Sequence, residues 1–121
     1  MTTANINTIV YEQIKTGSIK NVVFFGDSDK MPPPPYVVIK TEADNMNHRL
    51  IFRFIVHRVM GEQDLIDFYI RKELRDLLSD VATEQGNIRF YSTDEWVGVQ
   101  ARSDDNTISM ERTFFVPIIL V

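Results

Sequence analysis

The sequence predicts one α+β domain over residues 1–121, with a mainly antiparallel sheet, two helices packed on one face and a long C-terminal hairpin. Two segments carry apolar residues at helical spacing, and the other apolar segments are short and rich in β-branched and aromatic residues. Turn residues separate these segments. The order helix, strands, helix, strands fits helices covering one face of an antiparallel sheet. A hydrophobic content of 44% can supply one core.

The first half of the chain is predicted to hold one helix and three strands. The helix is expected between Asn5, a suitable N-cap, and Gly17, a suitable stop, because apolar residues recur there at helical spacing. Strands are expected at residues 21–25, 36–40 and 49–59, and four prolines lead into the second of them. The third strand alternates, with one fully apolar face and one mixed face.

The second half is predicted to hold a long helix and a hairpin. The helix is expected over residues 63–81, because Gly61 breaks the preceding strand and acidic residues precede basic ones, as the helix dipole favours. Further strands are expected at 88–91, 96–102 and 108–120, and turn residues 103–106 join the last two. The polar residues 41–48 are expected to form a loop.

Composition excludes several classes of function. The net charge is −4, so the chain has no basic surplus to neutralise a nucleic-acid backbone. It has no cysteine, which rules out disulfides and thiolate metal sites. No signal peptide is recognisable, and no apolar run approaches the ~18 residues of a membrane span. We expect a chain made in the cytoplasm, with no membrane association.

The residues that could carry catalysis are few and poorly arranged. His48 lies in a polar loop, and His57 alternates with Arg53 on the mixed strand face, without a partner at metal-ligand spacing. No glycine-rich phosphate loop is present. Four aspartates could form acid/base pairs or hold a hard cation, but they lie in turns, where this residue commonly caps the backbone: Asp27, Asp29, Asp104 and Asp105. We therefore expect no enzyme activity, no cofactor and no metal.

Two apolar surfaces predict contacts with other subunits. At about 100° per residue, most apolar residues of the second helix fall on one arc that is expected to face the core. Leu65, Phe68 and Tyr69 are predicted on the opposite side. The end of the chain is also apolar on both strand faces, so Ile119 and Val121 are predicted to be covered by a partner. An alternative is that the loop after Gly26 folds over the helix residues.

Most of the chain resembles the tail terminator, or tail completion, proteins of long-tailed bacteriophages. The resemblance is carried by an N-terminal helix and by three further segments. These are the proline-led strand PPPPYVVIK, the strand RLIFRFIVHRV followed by the helix EQDLIDFYIRKELRDLL, and the final segment EWVGVQARSDDNTISMERTFFVPIIL. It implies a structural virion protein, without reaction or cofactor, that forms a hexameric ring. That ring would cap the head-proximal end of the tail tube, meet a head connector or neck protein, and let DNA through only as passing cargo.

The resemblance carries two further expectations about particular residues. An arginine-containing last strand, residues 111–116, should return beside the proline-led strand. The hairpin loop with Asp104 and Asp105 is expected to face the tube or its lumen, where negative charge would keep DNA from sticking. The short 41–48 loop departs from the family, because any partner surface built there would be small.

Two other interpretations remain open from the sequence. One is a different neck or tail tube component, since these proteins share small α/β designs. The other is a small-molecule-binding or enzymatic α+β domain with its site near Arg53, His57 and Arg112. That site would require a concave pocket with convergent polar groups.

Overall fold

Five strands form the central sheet of the computed structural model, which describes residues 3–26, 32–83, 86–102 and 106–117. The strands of the whole fold are, in chain order, β1 (Val22–Phe24), β2 (Tyr36–Asp44), β3 (Arg49–Val59), β4 (Val81–Thr83), β5 (Gly86–Ile88), β6 (Tyr91–Arg102) and β7 (Thr107–Pro117). The central sheet has the order β1-β2-β3-β7-β6, and β4 and β5 pair separately. All pairs are antiparallel except β1 with β2. This confirms the predicted α+β class and the C-terminal hairpin.

Two helices accompany the sheet. The first, α1 (Thr3–Lys15), matches the predicted helix closely. The second has three consecutive segments, α2 (Gln63–Phe68), a π-helical segment (Tyr69–Glu73) and α3 (Leu74–Leu77), and is called the segmented helix below. It ends before the predicted boundary, because Val81 pairs with Ile88 as the first residue of β4.

The core lies between the sheet and the helices. Strand β3 alternates as predicted, and the four side chains on its helix-facing side are almost completely buried: Leu50, Phe52, Phe54 and Val56. Both helices contribute further fully buried side chains: Val10, Ile14, Ile66, Ile70 and Leu74. Apolar area removed from water at about 25 cal/mol per Å² drives this packing.

Strand β2 extends further than predicted, through Asp44, and leaves only a short turn before β3. Polar residues near the end of the strand are accommodated because their side chains form hydrogen bonds. The Thr41 hydroxyl donates to Asn7 Oδ1 at 2.9 Å, and Arg49 Nε donates to Asp44 Oδ2 at 2.9 Å. Hydrogen bonds from Asn47 and then Arg49 lower the pKa of the Asp44 carboxyl. The predicted 41–48 loop is therefore wrong over its first half.

Strand β7 lies inside the sheet, between the central strand β3 and the edge strand β6. The expectation that the last strand returns beside the proline-led strand is wrong, because β3 separates β7 from β2. The register pairs Phe52 with Phe114 and Leu50 with Val116, which places apolar residues of both strands on the same face. The apolar side chains of β3 therefore have neighbours on the same face from both adjacent strands, β2 and β7.

A glycine allows the two helices to meet closely. A Cβ at Gly17 would lie 2.8 Å from Leu77 Cδ1 and 2.9 Å from Glu73 Oε2. Around it, Gln13 Nε2 donates to the Leu77 carbonyl at 2.8 Å, and the Ser18 hydroxyl donates to Glu73 Oε2 at 2.7 Å. The end of α1 is thus fastened to the end of the segmented helix.

Candidate subunit interface

An apolar patch lies where β3 passes into the segmented helix. Leu65 and Phe68 are 50% and 53% exposed, and they lie one helical turn apart on the side away from the buried Ile66. Val59 and Met60, just before the helix, are 42% and 38% exposed. These four residues are called the corner patch. Large exposed apolar side chains grouped in this way are typical of protein–protein contacts.

Tyr69 does not belong to this patch. It is only 2% exposed and packs within the core, so the prediction that it contacts another subunit is wrong. Its π-helical segment explains the difference, because the backbone N–H of Leu74 bonds to the Tyr69 carbonyl and brings these two residues into line. A contact of Leu65 and Phe68 with another subunit stays a prediction.

The buried Tyr69 hydroxyl has no hydrogen-bond partner among the residues that the structure describes. Burial, and then the negative charge of Glu73, raise the pKa of this phenol far above its usual value. The side chain is therefore neutral and serves as an aromatic core residue. Its hydroxyl group contributes a desolvation cost rather than a bond.

Replacing Tyr69 with phenylalanine should therefore preserve or increase stability, by about 1 kcal/mol, because it removes a buried hydroxyl without a partner. Urea unfolding of the two proteins would measure the difference. A loss of more than about 1 kcal/mol would show that the hydroxyl makes a stabilising bond.

The rim of the corner patch is acidic. Glu62 pairs with Arg58 at 3.4 Å and Asp67 with Arg71 at 2.6 Å, so these charges are locally balanced. Asp64 is exposed beside Leu65 and makes no ion pair with any described residue. The rim therefore has three carboxylates against two guanidinium groups and a net negative charge.

A partly buried arginine, Arg112, links the segmented helix to β7. Arg112 Nη1 donates to the Ile70 carbonyl at 2.7 Å and to the Arg71 carbonyl at 3.2 Å. In an α-helix the Leu74 N–H would bond to Ile70, but here it bonds to Tyr69, and Arg112 supplies a donor to Ile70 instead.

The same guanidinium group also reaches the start of β6. Arg112 Nε and Nη2 donate to the Ser92 hydroxyl oxygen at 3.1 and 3.0 Å. Burial, followed by the nearby positive charges of Arg75 and Arg71, lowers the pKa of Arg112 from its ordinary value. One side chain thus joins the segmented helix, β7 and β6.

A second candidate contact surface lies on the helix-free face of the sheet, at the β1 edge. Phe25 is 62% exposed, and the Lys40 ammonium lies 5.0 Å from the centre of its ring. Glu42 lies 3.5 Å from Lys40 and 3.6 Å from Arg53, so one carboxylate serves two cations. Phe25, Lys40, Glu42 and Arg53 are called the edge patch, and its net charge is positive.

Sequence reasoning missed the edge patch, although the alternation of β1 contains the signal. Phe24 stacks on Tyr11 of α1 with ring centres 5.5 Å apart, so it lies on the helix-covered side. Its neighbour Phe25 then falls on the other face. Without the pairing of β1 to β2, a single short apolar run does not show which residue is covered.

The alternative small-molecule site does not come together. Arg53 and His57 lie on the helix-free face, and His57 is buried against the Tyr36 ring at 4.5 Å. Arg112 is paired with Phe54 in the register and reaches the segmented helix, so it lies on the opposite face. The expectation that these three residues share one strand face is wrong.

The remaining predicted site residues fall on parts of the chain that the structure does not describe. These are the loop residues Asp104 and Asp105 and the C-terminal residues Ile119 and Val121. Their roles stay predictions. Among the described residues, no three metal-ligating side chains lie close enough together to hold an ion. No helix in the described ranges is long and apolar enough to cross a membrane.

A comparison of the sequence with models of known protein families and with curated proteins finds no match. The functional inference therefore depends on the surfaces described above and on the resemblance noted in the sequence.

Proposed function

We propose that the protein is a structural virion subunit of the tail terminator type. It forms a hexameric ring that caps the head-proximal end of a phage tail tube and joins the tube to a head connector or neck protein. The ring has no reaction and no cofactor, and DNA crosses it only as cargo. The chain is made in the host cytoplasm and functions in the virion neck.

The exposed pair Leu65 and Phe68 supports this proposal most strongly. The segmented helix covers the core with Ile66, Ile70 and Leu74, whereas Leu65 and Phe68 lie outside the core and leave about half of their surface in water. Two large apolar side chains in water cost free energy that a partner subunit would recover, at about 25 cal/mol per Å² buried. In a closed ring each subunit contacts a neighbouring copy through the same surface.

The experiment that tests the proposal compares the wild-type protein with Phe68→Glu. Native mass spectrometry and electron micrographs, with and without tail tubes, should show wild-type rings with a central hole. Phe68→Glu should remain a soluble monomer, because a carboxylate at the patch centre would be desolvated without a partner. Its melting temperature should stay within a few degrees of that of the dissociated wild-type protein, because Phe68 lies outside the core.

Phe68→Leu is the matched control, because it keeps an apolar side chain at the same position and should still assemble. A wild-type protein that stays monomeric or dimeric even on tube tips would refute the proposed ring. A large loss of melting temperature in Phe68→Glu would instead show that Phe68 supports the fold.

A further inference from the structure

We propose that the corner patch of one copy docks on the edge patch of the next copy, so that the subunits join head to tail. This inference rests on the proposed ring and identifies the two surfaces that form its repeated contact. Phe68 would lie against Phe25 of the neighbour, and Asp64 would face Lys40 of the neighbour.

The positions of the two patches suit a head-to-tail contact. A ring larger than a dimer is built from heterologous contacts, in which two different surfaces of each subunit meet. The corner patch lies on the outer side of the segmented helix, with the buried Ile66 turned towards the core. The edge patch lies with Lys40 and Arg53 on the helix-free face of the sheet. Leu65 and Phe68 therefore lie on the helix-covered side of the sheet and the edge patch lies on its other side, so that the contact joins two different surfaces of the subunit.

The apolar residues match in kind and in exposure. Leu65 and Phe68 in one patch, and Phe25 in the other, are among the most exposed large apolar side chains of the described chain. Aromatic side chains at the centre of a contact commonly supply most of its binding energy, with a polar rim around them. Each patch has this form, an apolar centre with charged residues beside it.

The charges of the two rims are opposite. The rim of the corner patch has one carboxylate more than it has cations, and Asp64 has no ion-pair partner among the described residues. The edge patch carries one cation more than it has carboxylates, because Lys40 and Arg53 share Glu42. Bringing Asp64 to Lys40 would balance both rims. Two copies docked corner to corner would instead bring like charges together, which disfavours a symmetric dimer through this patch.

A charge-exchange experiment tests the pairing. Asp64→Lys and Lys40→Glu should each weaken assembly by about tenfold or more, because each places like charges across the contact. The double variant Asp64→Lys/Lys40→Glu restores an opposite pair and should assemble within about threefold of wild type. Sedimentation over a concentration series measures the assembly midpoint. Asp80→Lys, the same charge change at an exposed aspartate that likewise makes no ion pair with a described residue, should leave that midpoint unchanged.

Two apolar variants extend the test. Phe25→Ser should weaken assembly without lowering the melting temperature of the monomer. Met46→Ser, at a residue 92% exposed outside both patches, should change neither assembly nor the melting temperature. A double charge variant no better than its single variants, or a Phe25→Ser protein that assembles normally, would overturn the pairing. In either case the proposed ring would still be supported if wild-type protein forms rings and Phe68→Glu does not. A wild-type protein that never assembles would overturn both.

Discussion

Replacing Tyr69 with alanine is expected to lower the free energy of unfolding by about 3–5 kcal/mol, the usual cost of removing a buried aromatic side chain. Tyr69 is among the largest completely buried residues and lies where the segmented helix packs on the core. The cavity left behind cannot collapse easily, because sheet and helix hold its walls apart. Urea unfolding of dilute, dissociated protein would measure the loss.

Phe68→Ala is the natural control, since the two aromatic residues are neighbours on the same helix. In the dissociated protein it should change the free energy of unfolding by no more than about 0.5 kcal/mol, as is usual for exposed positions. Its effect should appear in assembly instead. Equal losses for the two variants would contradict the division between core and contact surface.

Replacing Arg112 with methionine is expected to lower the free energy of unfolding by about 2–4 kcal/mol. The change keeps a flexible apolar stem of similar length and removes the hydrogen bonds that the guanidinium group donates to the Ile70 and Arg71 carbonyls and to Ser92. Hydrogen bonds from charged donors contribute about 1.5–3 kcal/mol each, and the lost desolvation cost of the cation offsets part of the sum.

Arg75→Met provides the comparison, because the Arg75 side chain is 59% exposed and, among the described residues, forms an ion pair only with Asp76, which is 56% exposed, at 3.7 Å. It should cost less than about 0.5 kcal/mol. Hydrogen exchange would add a local readout for Arg112→Met, since the π-helical segment should lose protection before the rest of the helix. A loss below about 1 kcal/mol, with unchanged exchange, would mean that Arg112 does not fix the segment.

Regular alternation made β3 easy to predict from the sequence. Leu50 to Val56 place every second side chain in the core, and the strand spans Arg49–Val59 as expected. The first helix was predicted for the same reason, since its apolar residues face one side. Both elements bury one face against the rest of the chain, so their buried positions are apolar residues that recur with the period of a strand or a helix.

The position of Tyr69 could not be predicted in the same way. Steps of 100° place Tyr69 about 60° from Ile66 but about 140° from Leu74, at the border of the buried arc of an α-helix, whereas the π-helical segment brings Tyr69 and Leu74 into line. Within that segment the Ile70 carbonyl accepts a hydrogen bond from Arg112, which is 42 residues away in the chain. A local pattern carries no information about such a partner. The edge patch was missed for a similar reason, because its four residues meet only after β1 pairs with β2.

The interior position of β7 in the sheet has a consequence for synthesis on the ribosome. This strand is the neighbour of both β3 and β6, yet it follows every other described strand in the chain. Until Pro117 has left the exit tunnel, β3 keeps one unpaired edge and its apolar face is only partly covered. Such an edge invites pairing with other nascent chains. We therefore expect nascent chains stalled before residue 107 to bind chaperones strongly, and chains released beyond residue 117 to fold and leave them.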